Sequence, residues 1–465
     1  MWTLLAVAIS ACAFYISTGL GEFWPAAWVA PIPVLVLSLG STRRRAALAA
    51  FAAYFLGSLN LFSYLAKVIP LAAVLAALAG PALVFAAVVL FTRYCVRRLP
   101  PWMSVFAFPA AWTWYEFLLS RLSPHGTSLS LAYSQTDFLP LLQLASIMGL
   151  SGITFLVCLL PSAAAVAWKR RSVRPLAVPL AIICVALGYG AVRLRNGQPK
   201  PAVRVGLAAT DQGIDAAFQT TDSATALAVA RAYAARAARL AAAGAQVVVL
   251  PEKLMGVTAA DQDAIQQVFS EAARAAHVTL IAGLDRFTPR PPHNVATVIG
   301  PDGRIILEYE KHHLLPGPET GYVTGEVHGL FTAPGAQWAV AICKDMDFPG
   351  WLRAYGQRHV GILAVPAWDF VRDGRLHSRM AVVRGVENGF TIARVAQQGR
   401  LTFSDAYGRI LAETSSSRIP EATLIADVPA GPGATVYSRS GDWAGWLAGM
   451  TLMLLVWRGA HRTLL

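Results

Sequence analysis

The sequence predicts a membrane α-helical bundle joined to an α/β domain. Hydrophobic residues make up 55% of the 465 residues and charged residues only 14%, a balance that soluble proteins of this size rarely have. Residues 1–194 are dominated by long runs of Ala, Leu, Val, Ile and Phe, whereas residues 200–440 have the composition of an ordinary folded domain. We therefore expect one part of the chain to lie in a membrane and the other to be globular.

Eight apolar stretches are candidates to cross a membrane, which takes ~20 mostly apolar residues. They lie at about 2–20, 24–40, 46–65, 69–92, 104–120, 141–168, 174–194 and 443–457. The first stretch lacks the cationic start and the small-residue cleavage site of a secretory signal, so we expect it to be retained. The long loop Ser120–Pro140 between the fifth and sixth stretches has two open interpretations, a plain connector or a lip between the bilayer and the globular part.

The net charge of +13 arises largely from short basic clusters between these stretches. The clusters are Arg43–Arg45, Arg93 with Arg97 and Arg98, and Lys169–Arg171 with Arg174. Such clusters mark cytoplasmic loops, and all of them fit one orientation, which places residues 195–441 outside the cytoplasm. The sequence shows no basic patch with interleaved aromatic residues, which argues against nucleic-acid binding.

Cys343 is the one cysteine that this orientation places in the exported globular part. Three of the others, Cys12, Cys158 and Cys184, lie within apolar stretches, and Cys95 lies at the edge of a fourth. Cysteines outside the cytoplasm usually form disulfides, so a thiol that has no disulfide partner within its own domain must be present for another reason. It is either a small buried hydrophobic residue or a reactive group.

Short apolar strands alternate with helical patterns in the globular part, which predicts an α/β fold. The predicted strands are 203–208, 246–250, 278–283, 293–299, 304–309, 338–342, 360–365, 391–396, 400–405 and 409–412. The predicted helices are 222–243, 261–276, 349–358 and 375–388.

Three polar residues follow buried strands, at the strand ends where α/β proteins usually place their chemistry. Glu252 follows QVVVLP, Lys311 follows the strand 304–309, and Cys343 follows WAVAI. A thiol is mostly protonated at neutral pH, so a nucleophilic cysteine needs a base and a cation near it. These residues supply a carboxylate, an ammonium and a thiol, which favours a reactive Cys343.

The segments around these residues, PEKL (251–254), EYEKHHLLPGPE (308–319) and AICKDMDFPG (341–350), resemble the nitrilase, or carbon–nitrogen hydrolase, superfamily. The stretch 366–400 is similar to the region that follows the nucleophile in that superfamily. The resemblance implies an αββα sandwich with a Glu–Lys–Cys triad. Such a domain between the seventh and eighth of eight membrane spans resembles the apolipoprotein N-acyltransferase family in particular.

This resemblance implies a seven-span bundle at 1–195, an extracytoplasmic catalytic domain at 196–440, and an eighth span with a cytoplasmic tail at 441–465. It implies a bacterial inner-membrane enzyme whose catalytic domain faces the periplasm. A fatty acyl chain would pass from a phospholipid to Cys343 as a thioester, and then to the N-terminal amine of a diacylglyceryl-cysteine lipoprotein. The resemblance implies no cofactor and no metal.

The triad roles follow from the same resemblance. Glu252 is expected to be the general base, and Lys311, with a backbone N–H after Cys343, is expected to bind the oxyanion. Supporting or substrate-facing positions are expected for Glu319, Lys344, Asp345 and Trp368. The adjacent His312 and His313 are expected to be structural, since no third metal ligand accompanies them at suitable spacing.

The chain departs from the family pattern at two places. Lys344-Asp345 stands where the family usually has Tyr-Glu after the nucleophile, and DQGIDAAF (211–218) stands where it has a Gln-Gly-Asn motif. The pattern C-K-D-x-x-F-P is closer to soluble amidases. A membrane-tethered amidase using the same triad therefore stays open as an alternative, as does a scaffold without activity.

Overall fold

The computed structural model describes residues 1–197, 202–211 and 222–461. The chain forms two compact units, one comprising Met1–Asn196 with Ser440–Leu465 and the other comprising Gly197–Arg439. Of the departing motif at 211–218, only Asp211 belongs to the described residues.

The first unit is helical. Its helices are α1 Trp2–Ser17, α2 Ile32–Gly40, α3 Arg43–Gly57, α4 Phe62–Val68, α5 Leu71–Arg98, α6 Pro101–Ser104, α7 Ala107–Leu122, α8 Leu139–Leu142, α9 Ala145–Arg170, α10 Ala177–Asn196 and a C-terminal helix Trp443–Ala460. Four segments of the described chain are long and apolar enough to cross a membrane, namely Arg43–Val68, Leu71–Arg98, Ala145–Arg170 and Arg174–Asn196. The other four predicted stretches are also helical, and the eight-span arrangement stays a prediction.

The loop 120–140 is held within this first unit by a half-buried carboxylate. Glu116 on α7 accepts hydrogen bonds from Ser130 Oγ at 2.7 Å and Leu131 N at 2.9 Å. It also accepts from Trp112 Nε1 at 3.0 Å and Thr154 Oγ1 at 2.8 Å. Because these donors come from the loop, α7 and α9, Glu116 fixes the loop against the two helices.

The second unit contains two sheets and the helices that cover them. Its strands are β1 Ala202–Thr210, β2 Val247–Val249, β3 Gly256–Val257, β4 Thr279–Arg286, β5 His293–Ile299, β6 Ile305–Glu310, β7 Gly329–Ala333, β8 Ala336–Val340, β9 Ile362–Trp368, β10 Thr391–Gln397, β11 Arg400–Ser404, β12 Ile410–Ser415 and β13 Glu421–Pro429. Its helices are α11 Ser223–Ala242, α12 Gln262–Ala276, α13 Pro349–Gln357, α14 Gly374–Asn388 and α15 Val436–Ser440.

The strand order is β13-β1-β2-β4-β5-β6 in the first sheet, where β3 also pairs with β4, and β12-β11-β10-β9-β8-β7 in the second. The pairs β1–β2 and β2–β4 are parallel, as are β8–β9 and β9–β10. Parallel strands end at the same edge of a sheet, so the loops after β8, β9 and β10 lie side by side. The same holds for the loops after β2 and β4.

Alternating burial explains why two sheets and two helical layers form. Val205, Leu207 and Val249 belong to the core between the sheets, whereas Ala208 and Val248 belong to a core with residues of α11 and α12. Successive side chains of a strand point to opposite faces, so a strand that is apolar on both faces must be covered on both.

The second sheet follows the same rule. Val340 and Ile362 contribute to the core between the sheets, and Ala339 and Leu363 pack with Leu352 of α13 on the outer face. The order of layers is therefore helix, sheet, sheet, helix, which confirms the predicted αββα sandwich. All ten predicted strands and four predicted helices are present, and the sequence interpretation missed β3, β7 and β13.

Candidate active site

Glu252 enters the site from the loop that follows β2. The residue is buried, with 2% of its surface exposed, and its backbone lies directly against Gly283 of β4. A Cβ on Gly283 would lie 2.3 Å from the Pro251 carbonyl oxygen and 2.6 Å from Cα of Glu252. The missing side chain at Gly283 is thus what allows Glu252 to approach β4 so closely.

Lys311, which follows β6, forms ion pairs with two buried carboxylates. Its Nζ lies 2.8 Å from Oε1 of Glu252 and 2.9 Å from Oε2 of Glu319. Asn294 of β5 links the same two acids, because its Nδ2 donates to Oε1 of each at 2.7 Å. The backbone N–H of Leu315 donates to Glu319 Oε2 at 2.6 Å. Buried charges need such pairing and hydrogen bonding, and here each group satisfies the others.

Cys343 stands where β8 gives way to a short 3-10 helix, Cys343–Asp347. Its φ is +40°, a backbone conformation that residues other than glycine rarely adopt. Such strain is typically found at functional sites and is held in place by the surrounding structure. The thiol is partly exposed and donates to the carbonyl oxygen of Trp368, at the end of β9, over 3.5 Å.

Burial and the charges around Cys343 favour the protonated thiol. Burial raises the pKa of Cys343 well above its usual value and the Glu252 carboxylate raises it further, while Lys311 opposes both. Burial alone would lower the pKa of Lys311, but Glu252 and Glu319 hold it well above its ordinary value. Burial would raise the pKa of Glu319, yet Lys311 and Lys253 hold it at about 2. The site therefore has a stable ammonium and a thiol that needs a base to lose its proton.

Asp345 connects the turn at Cys343 to the segment that follows Lys311. Its Oδ2 accepts from Ile342 N at 2.9 Å and from the Tyr309 hydroxyl at 2.7 Å, and its Oδ1 accepts from His313 N at 2.8 Å. Because Asp345 is fully buried, its role is to position these two segments. Lys344 is also buried, and its Nζ lies 3.0 Å from Oδ2 of Asp347.

The two adjacent histidines take part in aromatic stacking. The His312 ring stacks on Trp351 with centroids 3.6 Å apart, and the His313 ring stacks on Phe348 at 3.7 Å. On its other side, Trp351 stacks with His328 at 3.8 Å. These stacks hold the loop after Lys311 against α13, which agrees with the structural role expected from the sequence.

A second charged cluster acts on Cys343 from the side of β9 and β10. Arg394 donates to both carboxylate oxygens of Asp369, at 3.0 and 2.5 Å. His377 Nδ1 lies 3.2 Å from Asp369 and 3.2 Å from Asp373. Burial would lower the pKa of His377, but Asp373 and Asp369 raise it to about 9. These groups hold the loop that begins at the Trp368 carbonyl.

Several residues of the site were not identified from the sequence. Asn294 and Asp285 are direct partners in the β4–β5 register, and both are polar residues within strands that are otherwise apolar, which is the signal that could have found them. Gln397, at the end of β10, donates to the backbone carbonyl of Glu252 at 3.0 Å. Lys253 is adjacent to Glu252 in the chain, yet nothing in the sequence separates it from a solvated lysine.

Comparisons with known proteins cover both units of the chain. The apolipoprotein N-acyltransferase N-terminal domain family matches residues 10–163, and the carbon-nitrogen hydrolase family matches residues 204–435. An apolipoprotein N-acyltransferase of Geobacter metallireducens is 28% identical over 73% of this chain and 71% of its own. Another, of Bradyrhizobium diazoefficiens, is 27% identical over 79% of each chain. The chain belongs to the apolipoprotein N-acyltransferase family.

Amidases match a smaller part of the enzyme. The omega-amidase NIT2 of Mus musculus is 25% identical over 35% of this chain and 65% of the amidase. The N-terminal family match extends over the apolar helices, which favours N-acyl transfer over amide hydrolysis. The enzyme is therefore a membrane N-acyltransferase with a carbon–nitrogen hydrolase domain, as the sequence predicted.

Proposed function

We propose that the enzyme moves a fatty acyl chain from a phospholipid, through a thioester on Cys343, to the N-terminal amine of a diacylglyceryl-cysteine lipoprotein. The observation that supports this most directly is the buried Lys311–Glu252 pair, with Nζ 2.8 Å from Oε1, beside a protonated thiol. A protonated nucleophile with an adjacent carboxylate and ammonium is equipped for acyl transfer in two steps.

In the first step, the thiol leaves the Trp368 carbonyl and gives its proton to Glu252 as Sγ attacks the ester carbonyl of the phospholipid. Lys311 Nζ and the backbone N–H of Lys344 stabilise the oxyanion, and one such donor is typically worth about 3–4 kcal/mol. The ester C–O bond breaks, and the proton held by Glu252 passes to the departing lysophospholipid oxygen.

In the second step, the free amine of the diacylglyceryl-cysteine attacks the thioester carbonyl. Glu252 takes a proton from the amine, the C–S bond breaks, and the proton returns to the Cys343 sulfur. An amide is formed and the resting thiol is restored. Glu319 keeps Lys311 in place during both steps.

The apolar helices have a physical reason under this proposal. Exposing an acyl chain to water costs about 0.8 kcal/mol per CH₂, so the donor must remain in apolar surroundings while its ester meets the thiol. We place the enzyme in the bacterial inner membrane with the catalytic unit on the periplasmic side, because the basic clusters fit that orientation.

Intact-mass and peptide analysis of Cys343 tests the proposal. The purified enzyme is incubated with phosphatidylethanolamine vesicles, and a mass increase of one fatty acyl group on the Cys343 peptide is expected. Adding a synthetic peptide with an N-terminal diacylglyceryl-cysteine should remove the adduct and acylate the peptide amine. Cys343→Ala should abolish both results, and Cys184→Ala, a substitution in α10, is the matched control that should retain them.

Two outcomes would contradict the proposal. One is full transfer by Cys343→Ala. The other is an enzyme that forms no acyl adduct but releases ammonia from small amides, which would support the amidase alternative.

A further inference from the structure

Lys253 is a second buried lysine next to the Glu252–Lys311 pair, and the mechanism above does not use it. Its Nζ lies 3.1 Å from Oε1 of Glu319 and 3.8 Å from Oδ2 of Asp285. It also lies 4.2 Å from the ring centre of Tyr322, whose hydroxyl donates to Asp285 Oδ2 at 3.1 Å. Glu319 is therefore shared by two ammonium groups, one from Lys311 and one from Lys253.

The backbone conformation of Lys253 shows that its partners hold it in place. Its φ is +49°, in the left-handed region that costs a residue with a Cβ roughly 1–2 kcal/mol. Its side chain is only 6% exposed, although a lysine beside a loop can normally reach water. A long cationic side chain that is both strained and buried is held there by its partners, and those partners are two carboxyl groups and an aromatic ring.

The effect of Lys253 on the site follows from counting charges. Three buried carboxyl groups, Glu252, Glu319 and Asp285, face two ammonium groups, Lys311 and Lys253. When all five are ionised, their charges sum to −1. Without Lys253 they would sum to −2, close to a thiol that must become an anion and a carbonyl that must become an oxyanion.

We propose that Lys253 is a positioning residue of the acyl-transfer site. Lys253 shares Glu319 with Lys311 and so keeps the net negative charge around Cys343 small enough for a thiolate to form. Because Lys253 neutralises part of Glu319, Lys311 is not drawn wholly toward that acid and keeps its contact with Glu252. The inference rests on the proposed function of Cys343 as the nucleophile.

Asp285 provides the means to test the charge effect separately from the packing effect. Burial raises the pKa of Asp285 to about 6, even though Lys253 lowers it, so the group is ionised at pH 7.5 and above. Asp285→Asn removes one negative charge and Lys253→Met removes one positive charge. The double variant has the same net charge at this site as the wild-type enzyme, but it loses two buried contacts.

The experiment measures the rate of Cys343 alkylation by iodoacetamide against pH, by peptide mass analysis of the full-length enzyme. A charge within about 4–6 Å of a group shifts its pKa by about one unit or more, and Lys253 acts on the thiol through its contact with Glu319. Lys253→Met should therefore raise the apparent pKa of Cys343 by up to about one unit, and Asp285→Asn should lower it by up to a similar amount. The double variant and Lys253→Arg should return close to the wild-type value. The charges that act directly on the thiol, Glu252, Lys311, Asp369 and Arg394, are the same in every variant.

If Lys253 had only a structural role, the apparent pKa values of Cys343 would follow a different order. The double variant would then differ from the wild type at least as much as Lys253→Met does. That order, or an unshifted profile for Lys253→Met, overturns the inference. Acyl transfer is measured in parallel, where Lys253→Met should lower kcat by up to about tenfold at unchanged KM for the phospholipid. Failure of this inference and failure of the proposed function can be told apart. Alkylation needs no acyl donor, so it tests the role of Lys253 by itself. A wild-type enzyme that forms no acyl adduct would contradict only the proposed function.

Discussion

The ammonium of Lys311 lies 2.8 Å from Oε1 of Glu252, and both groups are buried beside the thiol of Cys343. Lys311 Nζ also donates to both carboxylate oxygens of Glu319, at 2.9 and 3.1 Å, so the three N–H donors of the ammonium all have a carboxylate acceptor. Under the proposed mechanism, an oxyanion would take over one of the two N–H groups that Glu319 accepts. Lys311 would then stabilise Glu252 before the reaction and the developing negative charge during it.

Glu252 and Lys311 should have opposite effects on thiol reactivity. Glu252 raises the pKa of Cys343 and Lys311 lowers it. Glu252→Gln should therefore make iodoacetamide alkylation of Cys343 faster at pH 8, and Lys311→Met should make it slower, each by about tenfold. Both substitutions should abolish acyl transfer, because the base or the oxyanion donor is lost. Shifts of the same sign in the two variants would contradict this electrostatic account.

Gly283→Ala should disable the enzyme from a position that bears no functional group. The new Cβ would displace the Pro251–Glu252 backbone, and such overpacking typically costs about 1–3 kcal/mol. A lower melting temperature and a strong loss of acyl transfer are expected. Gly350→Ala is the control, since a Cβ there meets no atom of the described chain within 4 Å, and its activity should equal that of the wild type.

Asp345→Asn should reduce stability more than its conservative chemistry suggests. An amide has one acceptor oxygen, whereas Asp345 accepts on both oxygens from Ile342 N, Tyr309 and His313 N. An unsatisfied buried donor costs about 1–3 kcal/mol, and this loss should appear in thermal unfolding and in acyl transfer. Asp427→Asn breaks an exposed ion pair with Arg204 and should leave the melting temperature unchanged. Equal effects of the two substitutions would contradict the role given to Asp345.

His377 should make the fold less stable as the pH becomes alkaline. Asp373 and Asp369 raise its pKa in the folded protein to about 9, above its ordinary value of about 6.5. A raised pKa stabilises the fold fully below about pH 6.5, and this contribution is lost as the pH rises through about 9. The melting temperature of the wild type should fall over that range, and His377→Gln should flatten the fall. Parallel curves for the two proteins would refute the ion pairs as its cause.

The sequence by itself determined the two-part organisation and the strands of the sandwich, and it predicted Glu252, Lys311 and Cys343 as the catalytic residues. These features are local, because apolar periodicity and the position of a residue just after a strand can be recognised within a few neighbouring residues. The resemblance of the surrounding segments added Glu319 and the family to that list.

Only the tertiary structure decided which charged side chains contact Glu319 and Asp285. The antiparallel register sets Asp285 opposite Asn294, and the left-handed backbone of Lys253 turns its side chain toward Glu319, which lies far along the chain. It also decided that Asp345 holds the nucleophile turn, where the sequence showed only a departure from the family pattern. Distances between side chains on different strands depend on register and packing, and neither can be recognised from the order of residues in one segment.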